Sequence, residues 1–598
     1  MTNAQNIEHL FQEAFDLHRN GNLATAERLY TEILQINSDH LNALVNIGAI
    51  LIDLGRPAEA ARYLEHAVQC TPDDTDALNN LGNALQKAGR PEEALDCFEK
   101  AYNGAPDNAA ILSNLGRAFL RAGAYDRGLK FMGQAMAADP DNNALKVIDA
   151  LALPMIPNSL DHLTAARKRI EQKIKALAGA DIRLMDPANE VGATNFALSY
   201  HGEDDRHLQE QLAEIYLKAC PELAYTAPHI DKPSSQDRIK IGFISAHLGS
   251  HTIGKLNKAL LVGLDQTKFE THVFCPGSDK SGQDAIIDEI AAQVDHIYFP
   301  PPLLTNTRQC VADAELDLLY YLDIGMEPLT YFLAFSRLAK IQCVTVGHPV
   351  TTGIPTIDYF ISSKWVEPEN ADDHYSEKLI KLDAFFADYQ YPNFPKLTKG
   401  RSDFGLKDGA TLYLCPQSLF KFHPSFDKIL AGILKGDPKA EIILLAGPQK
   451  HWSELLESRF EISLSDATER VTILPRQSGA DFIQLLSLAD IFLDTPHFSG
   501  GNTSYEAFAL GKAIVTMPGE FMRSRVTAGL YQMMEINGLI AKTSEDYIRI
   551  ALYFGLDTGS REQIEARIRA ARGTIFDTNS ALRTHETFFL EAAGNREQ

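Results

Sequence analysis

Glycine recurs every 34 residues near the start of this chain, at Gly21, Gly55, Gly89 and Gly123. Pro72, Pro106 and Pro140 keep that period, as do Ala26, Ala60 and Ala94, with Gly128 in the fourth place. A second series, Gly48, Gly82 and Gly116, takes the same step, with Ala14 in the first repeat's position. A fixed period of this length means one supersecondary unit used repeatedly. Leu44, Ile47 and Leu51 line one face of a first helix. Gly55 supplies a turn that favours positive φ. Ala60, Leu64 and Ala67 face back from a second helix, and small residues at Gly48 and Ala60 let the two approach closely. Pro72 ends the second helix. One such unit is too thin to bury its own apolar face, so the units stack into a solenoid. Four of them fill residues 7–140.

The period is lost over 141–236, where HLTAARKRIEQKIKALA and DDRHLQEQLAEIYLKA read as amphipathic helices of a connector. Pro221, Pro228 and Pro233 then break the chain, and a domain boundary is expected near Gln236. From Arg238 the texture changes to short apolar runs alternating with helical stretches: RIKIGFIS, FETHVFCP, DLLYYL, a helix through TYFLAFSRLA, then IQCVTVG. This βαβα order implies a parallel sheet with helices on both faces over 237–395. The alternation restarts over 396–543 with ATLYLCPQ, EIILLAG, VTILP, DIFLD and KAIVTMP, and 544–598 reads as closing helices. Two doubly wound, Rossmann-like lobes in series imply a cleft, with ligands at the carboxyl ends of the strands.

Several function classes drop out. A formal net charge of −23 argues against nucleic acid or an anionic membrane as a main partner. No run of eighteen apolar residues is present, so no stable membrane insertion is expected. The start, MTNAQNIEHLFQEAF, lacks the basic and apolar regions of a secretory signal. Seven scattered cysteines without a CxxC suggest reduced thiols in a cytoplasmic protein and do not support a structural zinc site. No GxxxxGK[ST] is present, and no GxGxxG follows the first strand of either lobe. Asp74-Thr75-Asp76 resembles a metal-binding DxD but falls in a repeat turn, where it reads as a helix start.

Chemistry is expected just after strands. SAHLGSHT carries His247 and His251, and histidine is the usual base near neutral pH; the alternative is a loop-capping histidine. Residues Gly347, His348, Pro349, Val350, Thr351, Thr352 and Gly353 make a shaped loop suited to a sugar or oxyanion. The stretch from Cys415 through Gln417 delivers Lys421 where a diphosphate would sit, or leaves it solvated. Asp494 to Thr503, including His497, Gly500, Gly501 and Asn502, opens a helix whose first N–H groups would attract phosphate. Glu506 lies one turn in, where it would accept from ribose hydroxyls or complete a capping box.

Together these motifs and their order resemble the O-GlcNAc transferase family, of the bacterial, SPINDLY-like branch, over nearly the whole chain. The likeness is strongest in LCPQSLFK, LADIFLDTP and GGNTSYEAFALGKAIVTMPGE. The repeats resemble tetratricopeptide repeats, which offer a groove to a protein or peptide; the alternative is a packing arm that pairs two copies of the chain as a homodimer. The resemblance implies a GT-B fold and inverting transfer from a UDP-sugar to a protein side chain, with no metal or other cofactor. It implies that His251 is the active-site histidine, that Lys421 holds the diphosphate beside Gln417, and that Asn502 and Thr503 form the diphosphate-binding helix start. Glu506 would meet the ribose and Phe482 would stack on uracil. His348, Pro349, Thr351, Thr352, Gly353, His497, Gly500 and Gly501 would lie toward sugar and acceptor. The chain departs from the animal enzymes at Gly501 and in DLLYYLDIG, where each has a histidine; Asp323 fills some of the second space. Related branches use UDP-glucose or GDP-fucose. A polysaccharide or lipid-linked acceptor and a non-catalytic repeat scaffold remain as alternatives.

Overall fold

The computed structural model describes residues 3–233, 238–278, 284–576 and 578–594. The boundary expected near Gln236 lies outside the described residues. The chain divides into two compact units. The first is Met1–Pro154 with the short segments Pro276–Asp279 and Phe299–Thr307; the second holds the rest.

The first unit is a stack of antiparallel helix pairs, from Asn3–Arg19 to Tyr125–Ala138. Gly21, Gly55 and Gly89 have φ of 76°, 76° and 77°, the left-handed turn that the period implied. A Cβ at Gly48 would lie 2.6 Å from Leu64, so the helices meet where the small residue stands. The period reaches the helix caps too. The side chains of His40, Asp74 and Asn108, 34 residues apart, each accept a backbone N–H of the helix they open. Asp74 is thus a cap, as its repeat position required. Tyr30, Ile33, Ile47, Leu51, Leu64, Leu85 and Phe98 fill the continuous core. The helix Asn143–Leu151 packs on the eighth helix, so the unit runs past the expected end of the array at 140.

The second unit contains both sheets. In the first, β1 (Ile239–Ile244), β2 (Phe269–Phe274), β3 (His296–Tyr298), β4 (Leu316–Tyr321), β5 (Ala339–Thr345), β6 (Tyr359–Ser363) and β7 (Lys378–Leu382) take the order β3-β2-β1-β4-β5-β6-β7. In the second, β8 (Thr411–Leu414), β9 (Ala440–Leu445), β10 (Val471–Leu474), β11 (Ile491–Leu493) and β12 (Ile514–Val515) take the order β10-β9-β8-β11-β12. Every pairing is parallel. Parallel strands covered on both faces bury almost every side chain, which is why β4 and β9 read as apolar runs broken only by Asp317 and Glu441.

Two differences from the sequence reading matter. The helix expected through TYFLAFSRLA is only Pro328–Leu333. Beyond it Ser336 Oγ donates to Leu223 O, and Arg337 pairs with Asp358, so the chain turns into β5. The closing helices serve different lobes. Ser544–Leu556 packs on β8 and β11, whereas Ser580–Gly594 returns to β4 and β7, with Tyr320 Oη 3.2 Å from His585 Nε2.

Candidate functional site

A cavity of about 390 Å³ opens where the carboxyl ends of the two sheets face each other. The first lobe lines it with the helix start His251–Ile253, with Thr345 at the end of β5, and with Val346 and Gly347 after it. The second lobe contributes Pro416, Gln417 and Lys421 after β8, and Phe498, Gly501, Asn502 and Thr503 after β11. Among the described residues no carboxylate lines it, while Lys421, Arg523 and His251 do.

Two helix starts therefore point into one space. The helix Thr252–Gly263 is capped by His251, whose Nδ1 accepts from Ile253 N at 3.3 Å. The helix Asn502–Ala509 is preceded by Gly501, which makes no side-chain cap bond. Asn502 Nδ2 donates to Thr252 Oγ1 at 3.1 Å and joins the two starts. Asn502 Oδ1 is buried without a partner. Each start carries orphan N–H donors and the positive end of a helix dipole.

Lys421 completes the cationic wall. Its Nζ donates to Gln417 Oε1 at 2.9 Å and to Ser499 O at 3.4 Å, and stands 4.6 Å from the Phe498 ring centroid. Gln417 Nε2 in turn donates to Thr503 Oγ1 at 2.8 Å. Burial lowers the Lys421 pKa to about 8, although the charge of Asp494 works the other way. Asp494 also accepts Gly500 N at 2.7 Å and Thr516 Oγ1 at 2.8 Å, which fixes the loop between β11 and the helix.

His251 is exposed, and partial desolvation, then neighbouring His247 and Lys255, hold its pKa below the usual histidine value. The His247 ring lies 4.7 Å away. Burial opposes charge on His247, but its hydrogen bond to Glu327 and the charge of Asp323 prevail and raise its pKa. Asp323 itself is buried, accepts from Ser245 Oγ at 2.8 Å, and is raised to about 6 by that burial.

Other expected site residues do not line the cavity. Of the expected loop from Gly347 to Gly353 only Gly347 and Pro349 do so. His348 is buried, shares a 2.8 Å hydrogen bond between Nδ1 and Val350 O, and is lowered by burial to about 4. The hydroxyls of Thr351 and Thr352 are both held by Glu377, which also accepts Thr352 N at 2.8 Å. Gly353 (φ 68°) packs on the backbone of Gln209. His497 faces away, 3.0 Å from Ser425 Oγ and with its ring 4.0 Å from that of His423. Gly500 lies under the Gln417 amide. Phe482 is half-buried on the helix Gly479–Leu488, outside the lining. Glu506 is outside it too; burial raises its pKa to about 7, with Lys255 opposing. No capping box forms, because Gly501 is the cap.

The sequence reading missed the connector's part. Phe196 and Tyr200 line the cavity, with the Tyr200 ring 4.7 Å from Phe420 and 4.9 Å from Phe498. The pair of rings four residues apart in NFALSY, with no periodic helix around it, was the available signal. Arg523 was missed as well. It is buried, donates to Glu203 O at 2.5 Å, and stands 4.5 Å from the Phe521 ring centroid. Its signal was the basic MRSR after a strand.

Parallel lobes, a cleft at their carboxyl ends and a cationic wall of helix starts define a two-lobed transferase fold. The model of glycosyl transferase family 41 matches residues 204–399 and 390–583, and tetratricopeptide repeat models match 17–85 and 73–141. The chain belongs to glycosyl transferase family 41. It is 25% identical over 351 residues to a probable UDP-N-acetylglucosamine–peptide N-acetylglucosaminyltransferase SEC of Arabidopsis thaliana, covering 57% of this chain and 36% of that protein. It is 26% identical over 428 residues to the similarly named SPINDLY of Oryza sativa subsp. japonica, covering 68% of this chain and 44% of that one. The chain thus spans less than half the length of these relatives. A Thermobaculum terrenum O-GlcNAc transferase mutant superposes with a TM-score of 0.67 at 23% identity, covering 93% of this chain and 96% of that one, which establishes the shared GT-B fold. Among the described residues no helix is long and apolar enough to cross a membrane.

Proposed function

We propose that this chain transfers a hexose, with N-acetylglucosamine first in line, from a UDP-sugar to a hydroxyl of a protein or peptide. The observation that carries the reading is the convergence of two helix starts and a half-buried lysine on one cavity that, among the described residues, no carboxylate lines. That is a site for a diphosphate. The names of the plant relatives supply the uridine nucleotide, the sugar and the peptide acceptor.

In this reading the acceptor oxygen bonds to the anomeric carbon while the bond from that carbon to the diphosphate oxygen breaks. The bonding pair leaves on UDP. Lys421 and the amides at Asn502 and Thr503 stabilise the charge as it develops, and these donors do so without a metal. His251 enters as a donor rather than as the base that the sequence suggested. Its Nδ1 accepts the Ile253 N–H, so a neutral ring carries its hydrogen on Nε2. The acceptor's proton then passes to an oxygen of the departing diphosphate. The acceptor chain would be held by the tetratricopeptide array, in a cytoplasmic setting.

The test is calorimetric titration of the full chain with UDP and, separately, GDP, repeated with Lys421→Ala. UDP binding that the substitution abolishes supports the reading and leads to a UDP-sugar hydrolysis screen to name the donor. Preference for GDP overturns the uridine assignment. Binding of neither overturns the enzyme reading.

A further inference from the structure

Away from the cavity, three metal-ligating side chains converge at one edge of the first sheet. Glu270 and His272 alternate on β2 and so project to one face. His296 opens β3, and the parallel register sets it beside His272. Glu270 Oε1 lies 3.1 Å from His272 Nε2 and 3.4 Å from His296 Nε2. The ligand atoms of all three lie within 4.8 Å of one another. Ligands around a tetrahedral zinc ion, each bonded at roughly 2.0–2.1 Å, stand about 3.4 Å apart. The cluster is already near that scale.

The surroundings orient the ligands. Tyr298 Oη lies 3.2 Å from His272 Nδ1, so it can accept that nitrogen's hydrogen when Nε2 gives its lone pair to an ion. A metal-bound imidazole is typically fixed through its other nitrogen in this way. Glu270 Oε2 meets Arg238 at 3.3 Å, which leaves Oε1 facing the two imidazoles. His272 is buried and His296 is exposed, so an ion would have both an anchor and an entry side.

We propose that Glu270, His272 and His296 form a zinc site, with water as the fourth ligand. Two imidazoles and one carboxylate suit zinc rather than calcium or magnesium, which prefer all-oxygen shells. Glu270 and His272 are the second and fourth of the six residues of β2, and neither lines the cavity, which lies beyond the carboxyl ends of the strands. The ion therefore takes no part in sugar transfer. It clamps β3, a strand of only three residues, onto its sole neighbour in the sheet. A reading based on cysteine could not find it, because the histidines lie 24 residues apart and meet only through strand pairing.

The test is zinc titration of the chelator-stripped full chain against a chromophoric competitor. It compares wild type with His296→Ala, Glu270→Gln and Cys70→Ser. The last controls for the exposed cluster of Asp39, His66 and Cys70 in the repeat unit. His296 is exposed, so its replacement leaves the fold intact, checked by circular dichroism. Expected are one zinc per chain, affinity reduced at least tenfold in His296→Ala and Glu270→Gln, and no change in Cys70→Ser. Cobalt in the wild type should give tetrahedral visible bands that His296→Ala lacks. Equal zinc affinity in wild type and His296→Ala overturns the site, as does absence of binding by the wild type. Loss of the zinc in Cys70→Ser overturns it too, by assigning the ion to the other cluster.

Discussion

The two lobes present the same device, a helix start, in two chemical forms. The first lobe closes its helix with the imidazole of His251, which occupies the Ile253 amide and leaves Nε2 for the cavity. The second opens its helix with Gly501, which adds no side chain and occupies no amide. A helix start without a side-chain cap brings its amides close to an anion. A capped one gives up a donor and gains a ring that can act on a reacting group. In the proposed reaction the second lobe would bind the diphosphate and the first would attend to the reacting end of the sugar.

Lys421→Ala should break this division most severely. The lysine is tied to the open start through Gln417, which bonds Thr503, and loss of one preorganised donor to developing charge costs roughly a hundredfold or more in turnover. A fall of less than about tenfold in UDP-sugar hydrolysis would move diphosphate stabilisation elsewhere. The pH dependence comes next. With the Lys421 pKa lowered to about 8, the ammonium is present below pH 8 and is lost as pH rises through that value. A bound diphosphate holds the proton on, so nucleotide affinity should weaken by up to about tenfold per pH unit above 8. Lys421→Arg keeps its charge and should flatten the profile. A flat profile in the wild type contradicts the assignment.

Gly500→Ala sharpens the comparison with a smaller effect. A Cβ there would lie 2.5 Å from Ser504 Oγ, 2.6 Å from Gln417 Nε2 and 2.7 Å from Thr503 Oγ1. It must displace the Gln417–Thr503 bond that shapes the open start. Nucleotide affinity should fall about tenfold, the scale of a modest overpacking strain, with near-native circular dichroism. Unchanged affinity would mean that this bond does not organise the site.

The parts legible in sequence share one property, that their partners are close by or periodic. The repeat array declared itself because each unit restates the last, down to the capping positions of His40, Asp74 and Asn108. Long apolar strands such as β4 and β9 were equally plain. β3, β6 and β7 were not read, because strands of three to five residues with mixed polarity lack a period. In the site, Gln417, Lys421, Asn502 and Thr503 were readable as residues delivered by strand ends. The fate of Thr351 and Thr352 was not, since Glu377 lies 26 and 25 residues on. Nor could sequence tell which side of a helix turn meets the cavity, so Glu506 and Phe482 were expected at a wall they do not line.

The finest test separates the two tasks assigned to His251. Removing its side chain in His251→Ala uncaps the first helix, at a cost of about 1 kcal/mol. That corresponds to roughly fivefold faster amide exchange at Ile253, if local opening governs exchange there. Asparagine caps well but carries no imidazole, so His251→Asn should restore protection at Ile253. If the ring also donates from Nε2 to the reacting end of the substrate, His251→Asn recovers protection while staying as impaired in turnover as His251→Ala. If asparagine restores both, His251 only shapes the helix start, and the first lobe's contribution to chemistry must be sought at His247.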